Sequence, residues 1–262
     1  MNEQYFELTG ESKVNPYGYT VHRIRATQDI PRAGVKKGDL GGWIESIELT
    51  NGDARVSGDA WVSGDAQVSG EARVSGNAQV SGETWVSGNA WVSGNARVSG
   101  NARVSGNARV SGEAWVSGEA WVSGNARVSG EAQVSGEAWV SGNAWVSGNA
   151  RVSGDARVSG DAQVSGEARV SGEARVERPW HFFLIGPVGS ESVTATLFRT
   201  RNGKHRLAVG CWSGTLGTLM AEVKRRRQFW SADESQQELW VAQYKALEAL
   251  GRATVARWAE ES

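Results

Sequence analysis

The sequence predicts a mainly β chain organised around a β-solenoid, and three observations carry that prediction. From Asp53 to Gly172 the chain runs through twenty consecutive copies of one six-residue unit: Asp/Asn/Glu, Ala, Arg/Trp/Gln, Val, Ser, Gly. Glycine supplies 34 residues and tryptophan 13, but proline only 4 and phenylalanine only 5, so most of the chain lacks the material of an ordinary globular core. A Ser-Gly pair followed by Asn, Asp or Glu returns every sixth position, and that is turn chemistry.

Each unit parses physically. In Ala-x-Val, alternate side chains share one face of a short strand, so alanine and valine point one way and the variable residue the other. Serine and glycine then turn the chain. A lone unit cannot bury its valine, but stacked units can. Thr84 is the single replacement of the alanine, and a twenty-first copy, Glu173-Ala174-Arg175-Val176, loses its Ser-Gly to Glu177-Arg178. Upstream, Ile47 to Gly52 has the right length and the wrong residues, which makes it a degenerate lead-in.

The segment Val56-Ser57-Gly58-Asp59-Ala60-Trp61 and its successors resemble the hexapeptide repeat of left-handed parallel β-helix proteins, with a branched aliphatic residue first and a small residue four later. Serine after the valine departs from that family's usual Gly, Ala, Glu or Asp. The resemblance implies a triangular coil of three units, or 18 residues, so residues 53–178 make about seven coils, roughly 34 Å long at the inter-strand spacing. It also implies the left-handed form. Crossover connections are normally right-handed, which keeps a right-handed triangular solenoid of the bactofilin type as the alternative.

The flanks extend the resemblance. Val35-Lys36-Lys37-Gly38-Asp39-Leu40-Gly41-Gly42-Trp43-Ile44-Glu45 looks like the lead-in of YdcK-like hexapeptide-repeat proteins of bacteria and phages or prophages. So do Ile185-Gly186-Pro187-Val188-Gly189-Ser190, Phe198-Arg199-Thr200 and Gly210-Cys211-Trp212-Ser213-Gly214-Thr215. Acyltransferase labels in that group rest on fold analogy.

Residues 1–52 are expected to form a cap and lead-in, with a short strand around Tyr17, Tyr19, Val21 and Ile24, because a solenoid's first coil exposes strand edges. Residues 179–262 are expected to form a small α+β domain. Trp180 to Ile185, Ser192 to Phe198 and Arg206 to Trp212 read as strands, the last entered through the hairpin signal Arg201-Asn202-Gly203-Lys204. Leu216, Leu219, Met220 and Val223 fall on one helical face. Ser231 and Glu234 suggest a capping box for a last helix bearing Trp240, Tyr244, Leu247 and Trp258, with Gly251 as a candidate break.

No catalytic constellation is legible. The three histidines, His22, His181 and His205, all lie outside the array and read as surface or packing residues. Cys211 at a strand end reads as a buried small hydrophobe. The single cysteine excludes a disulfide framework or a Cys-rich zinc site, and neither metal nor other cofactor is expected. Ile185 to Ser190 lacks the lysine of a phosphate loop.

The variation sits on the outward position, which holds ten arginines, seven tryptophans and four glutamines. An 18-residue coil sorts them into three columns. The first contains Trp91 and Trp145, the second Trp61 and Trp115, and the third Trp85, Arg103, Trp121, Trp139 and Arg157. These nine are the candidate binding residues, with Trp121 directly over Trp139 as the most adhesive spot. Two readings stand side by side: guanidinium and indole groups about 4.8 Å apart stabilise the rod itself, or they form a binding surface. Lys224-Arg225-Arg226-Arg227 is the one concentrated basic run, a solvated helix face or a guide for an anionic partner.

Ten arginines against thirteen acids leave the array at −3, too little acid for a DNA mimic and too much for a nucleic-acid reader. No apolar run approaches the roughly 18 residues of a membrane span, and the N-terminus lacks signal-peptide character, so a cytoplasmic protein is expected, in the bacterial host if phage-encoded. The sequence therefore predicts a non-enzymatic scaffold with a protein partner. The alternatives are an acyltransferase-like enzyme, trimeric if so, or a small-molecule or glycan binder.

Overall fold

The six-residue unit folds the same way along the array. In the computed structural model, which describes residues 5–31, 34–51 and 53–260, Ala96 and Val98 are fully buried while Asn95 and Arg97 are exposed. Gly100 turns the corner at φ +70°, and a Cβ there would lie 2.9 Å from the backbone nitrogen of Gly118, so no other residue fits without a shift. Stacking is closed by backbone bonds that run from residue i to residue i+17. The N–H groups of Asn95, Arg97 and Ser99 donate to the carbonyls of Gly112, Ala114 and Val116 at 2.8, 2.9 and 3.0 Å.

The described residues hold twenty-one such two-residue strands, β4 (Arg55–Val56) to β24 (Arg175–Val176), in three parallel sheets. The first face runs from Arg55 to Gln163, the second from Trp61 to Arg169 and the third from Gln67 to Arg175, each with i opposite i+18, as in Arg97 with Trp115. Seven strands per face give the seven coils expected from the repeat length. The core is a column of valine and alanine running the length of the rod.

At the leading end, β1 (Phe6–Val14), β2 (Thr20–Ala26) and β3 (Leu40–Ile44) pair antiparallel. Strand β3 then lies parallel on the second face, with Trp43 opposite Trp61 and Ile44 opposite Val62. The degenerate lead-in forms a 3-10 turn, Ile47–Leu49, and Thr50 bridges to Val68 of the third face. The expected strand at Tyr17 and Tyr19 begins only at Thr20. The Asn15 carboxamide oxygen accepts both the Tyr17 and Tyr19 N–H groups at 3.0 Å and holds that stretch as a turn. Its Nδ2 donates to Ser63 Oγ at 3.0 Å, pinning the turn to the solenoid.

At the trailing end, β25 (Phe182–Val188), β26 (Val193–Arg199), β27 (His205–Val209) and β28 (Trp212–Gly214) form an antiparallel sheet in sequence order. Strand β26 serves two cores by alternation: Phe198 packs into the end of the solenoid core, and Ala195 and Leu197 face the helices. Thr196 Oγ1 accepts the Arg169 N–H at 3.1 Å, a donor that has no further coil above it.

Two helices, α1 (Leu216–Arg227) and α2 (Glu234–Ala259), cover the other side of that sheet. The α2 cap is Asp233, whose carboxylate accepts the Gln236 N–H, rather than the expected Ser231. Gly251 does not break α2; its bare backbone lets Leu216 pack against the helix, since a Cβ would meet Leu216 Cδ2. The strand expected from Arg206 to Trp212 is instead a hairpin around Gly210 (φ +56°) and Cys211. Cys211 sits at the apex of that turn and is exposed, which corrects its expected burial.

Candidate binding surface

Outward side chains on one face repeat at every coil, so the register alone sets what touches what. Trp121 and Trp139 are register partners, and their rings meet edge-on with centroids 4.7 Å apart. The Arg157 guanidinium lies 5.2 Å from the Trp139 ring centroid, which extends the stack by one further coil. Arg103 stands between Trp85 and Trp121 in the same column. Trp85 is 54% exposed and Trp139 41%, while Trp121 is half-buried.

Serine supplies a feature that the sequence signalled but that was not read from it. Trp91, Trp115, Trp121 and Trp145 donate their indole N–H to Ser75, Ser99, Ser105 and Ser129 at 3.1, 3.3, 3.2 and 3.1 Å. Each serine is sixteen residues earlier, on the coil below, so the repeat carries the pairing. The bonds lay these four indoles back along the rod and favour the self-stabilising reading for Trp91, Trp115 and Trp145, while for Trp121 the same bond fixes the ring against which Trp139 packs. Trp85 and Trp139 make no such bond among the described residues, and they stand on the third face.

The first face shows weaker stacking, with Arg109 6.0 Å from the Trp91 ring centroid. The second face differs at its start. Trp61 points outward from its strand as expected, yet it is 5% exposed, because Val21, Trp43 and the edge of Tyr17 cover it. It is a packing residue of the cap and leaves the set of accessible indoles. Corner columns add amide ladders: Asn107 donates to Asn125, Asn125 to Asn143, and Asn143 to Asp161, at 3.1, 3.1 and 3.0 Å.

The basic run is mostly paired within the domain. Arg225 and Arg226 both bind Glu222 at 2.7 Å and hold its carboxyl down to about 2, Arg226 reaches Glu191 at 3.6 Å, and Arg227 binds Glu238 at 2.6 Å. Only Lys224 of the four carries no ion pair among the described residues.

The histidines do not converge on the array. His181 is buried beside Trp180 and Trp258, with Nδ1 accepting the Glu177 N–H at 3.3 Å. His205 Nε2 accepts the Leu216 N–H at 3.1 Å, at the start of α1. His22 lies in β2, paired across to Ser12 and Ile44. Cys211 Sγ accepts a bond from Arg226 at 3.3 Å. Among the described residues no group of three or more His, Cys, Asp or Glu side chains is placed to hold a metal ion, and no helix is long and apolar enough to cross a membrane.

Comparison with known families gives one match. The family described as YdcK Beta solenoid repeat matches residues 66–82, 90–104, 102–118, 120–136, 132–148, 144–160 and 150–166. No curated protein matches the chain. The matched segments fall within the coils between the two end structures.

Proposed function

We propose that this chain, a YdcK-like β-solenoid, is a rigid non-enzymatic scaffold that presents its third face to a protein partner. The observation that carries the reading is the continuous tier of Trp121, Trp139 and Arg157, flanked by the open indole of Trp85. Tryptophan and arginine are the residue types that dominate binding hot spots, and a rod whose valine core repeats in every coil holds them without an ordering cost. The resemblance to phage- and prophage-borne proteins suggests a partner in a bacterial cytoplasm, where interference with a host system is one use.

The uninterrupted coils support a scaffold over an acyltransferase, which would need a histidine at a subunit interface and loops that break the coils. The same indoles would also serve a glycan. The test is native mass spectrometry of gently purified protein, run beside a Trp121→Ala/Trp139→Ala variant of unchanged circular dichroism. A stoichiometric host protein present on the native chain and absent from the variant supports the proposal. A trimer carrying a coenzyme-A-sized adduct in both overturns it in favour of the enzyme, and saturable oligosaccharide binding lost with the indoles reassigns the face to glycans.

A further inference from the structure

The cap closes the second and third faces and leaves the edge of the first open. Strand β3 continues the second face, Thr50 bridges to the third, and among the described residues the sheet of the first face ends at β4 with no strand before it. Beside that edge, between cap and solenoid, lies a cavity of about 530 Å³. Its size falls within the roughly 300–1,000 Å³ of small-molecule sites.

Its chemistry divides in two. Phe6, Ile24 and Leu40 of the cap and Val56 of the first coil give apolar walls, and Leu40 is left 56% exposed beside it. Arg55 and Arg73, adjacent in the first column, line the same space, and neither forms an ion pair among the described residues. Arg-on-Arg register also occurs elsewhere on the rod, as at Arg109 with Arg127, but here the two arginines border a cavity, where an anion would be shared by two positive charges. The lining also includes Asp39, whose carboxylate accepts the Lys36 N–H at 2.8 Å, so its one negative charge is set against two positive ones.

We propose that this cavity binds a medium-chain acyl carboxylate, with the tail between Phe6, Ile24 and Leu40 and the head on Arg55 and Arg73. The apolar walls call for a hydrocarbon body and the paired guanidinium groups for a monoanionic, bidentate head. The site is separate from the third face, so it stands or falls without the scaffold reading.

The experiment is calorimetric titration of the full chain with decanoate, with decanol as the same tail without charge and acetate as the head alone. The variants are Arg55→Gln/Arg73→Gln, which removes the charge and sets at both positions a residue that the array itself carries there, and Leu40→Asp, which sets a charge on the tail wall at an exposed position. Decanoate should saturate one site and bind about tenfold or more tighter than decanol, as expected for a charge-assisted head contact. Acetate should not bind measurably. Arg55→Gln/Arg73→Gln should erase the preference for decanoate, and Leu40→Asp should weaken decanoate and decanol alike. Thermal melts matching the native chain keep these results readable, and Arg73→Gln alone, at an exposed position, serves if the pair does not fold. Equal binding of decanoate and decanol, no saturable decanoate binding, or affinity unchanged in both variants would overturn the proposal.

Discussion

Trp121 meets Trp139 edge-on at 4.7 Å, and both project from the same face because eighteen residues separate them. An edge-to-face pair contributes about 0.5–1.5 kcal/mol, and the valine column beneath it is untouched by truncation of either ring. Trp139→Ala removes the Trp121 edge contact and the Arg157 contact together and should lower stability by about 1–2.5 kcal/mol, while reducing partner affinity by about 2 kcal/mol or more if the ring is a hot spot. Urea melts and a binding titration on the same variant separate the two. Unchanged affinity would leave the indole pair as a brace for the rod.

Thr84 stands where all the other units have alanine, and its hydroxyl is buried without a hydrogen-bond partner among the described residues. Such a group costs about 1–3 kcal/mol. Valine keeps the shape and removes the hydroxyl, so Thr84→Val should raise stability by about 1–2 kcal/mol. The check is the urea midpoint, and a lower midpoint for the variant would mean that the hydroxyl is satisfied in solution.

The solenoid was legible because its environment repeats. Once Val and Ala share a face in one unit, the columns, the 18-residue register and the contact of Trp121 with Trp139 follow from counting. The serine and asparagine ladders were equally available at spacings of sixteen and eighteen. The ends were not, because what happens there depends on a second segment. Trp61 and Trp85 occupy the same position of the unit, yet one is 5% and the other 54% exposed, since a hairpin from residues 6–26 folds over the first. Cys211 likewise depends on where a hairpin turns, and Gly251 on which side chain reaches it. The cavity at Arg55 is an end effect too, invisible in a repeat that treats that arginine as one of ten.

His205 ties the stability of the C-terminal domain to pH. Burial, assisted by the Arg252 guanidinium, lowers its pKa below the ordinary imidazole range, and Nε2 accepts the Leu216 N–H only while unprotonated. The unfolded chain takes up its proton near about pH 6.5, before the folded one does. The stabilisation is thus complete above that value and is lost as pH falls towards the folded pKa. Melting temperature should drop between about pH 7.5 and 5.5, and His205→Gln should flatten that part of the profile. An unchanged slope would assign it to other groups.

Interchangeable coils make a last prediction about length. Removing residues 103–120 joins Ala102 to Trp121, which restores the Ala-Trp-Val-Ser-Gly order and leaves every later residue on its own face. The chain should fold with a rod about 4.8 Å shorter, measured by small-angle scattering. Removing residues 103–108 also restores the unit, by joining Ala102 to Arg109, but turns everything downstream by one face relative to the N-terminal cap. Both variants keep Trp121, Trp139 and Arg157 stacked, because all three lie beyond the cut. A partner held by that tier alone should bind both equally. Binding that survives the loss of eighteen residues and not of six would instead assign the partner to the cap and the far end together, which changes what the rod is for.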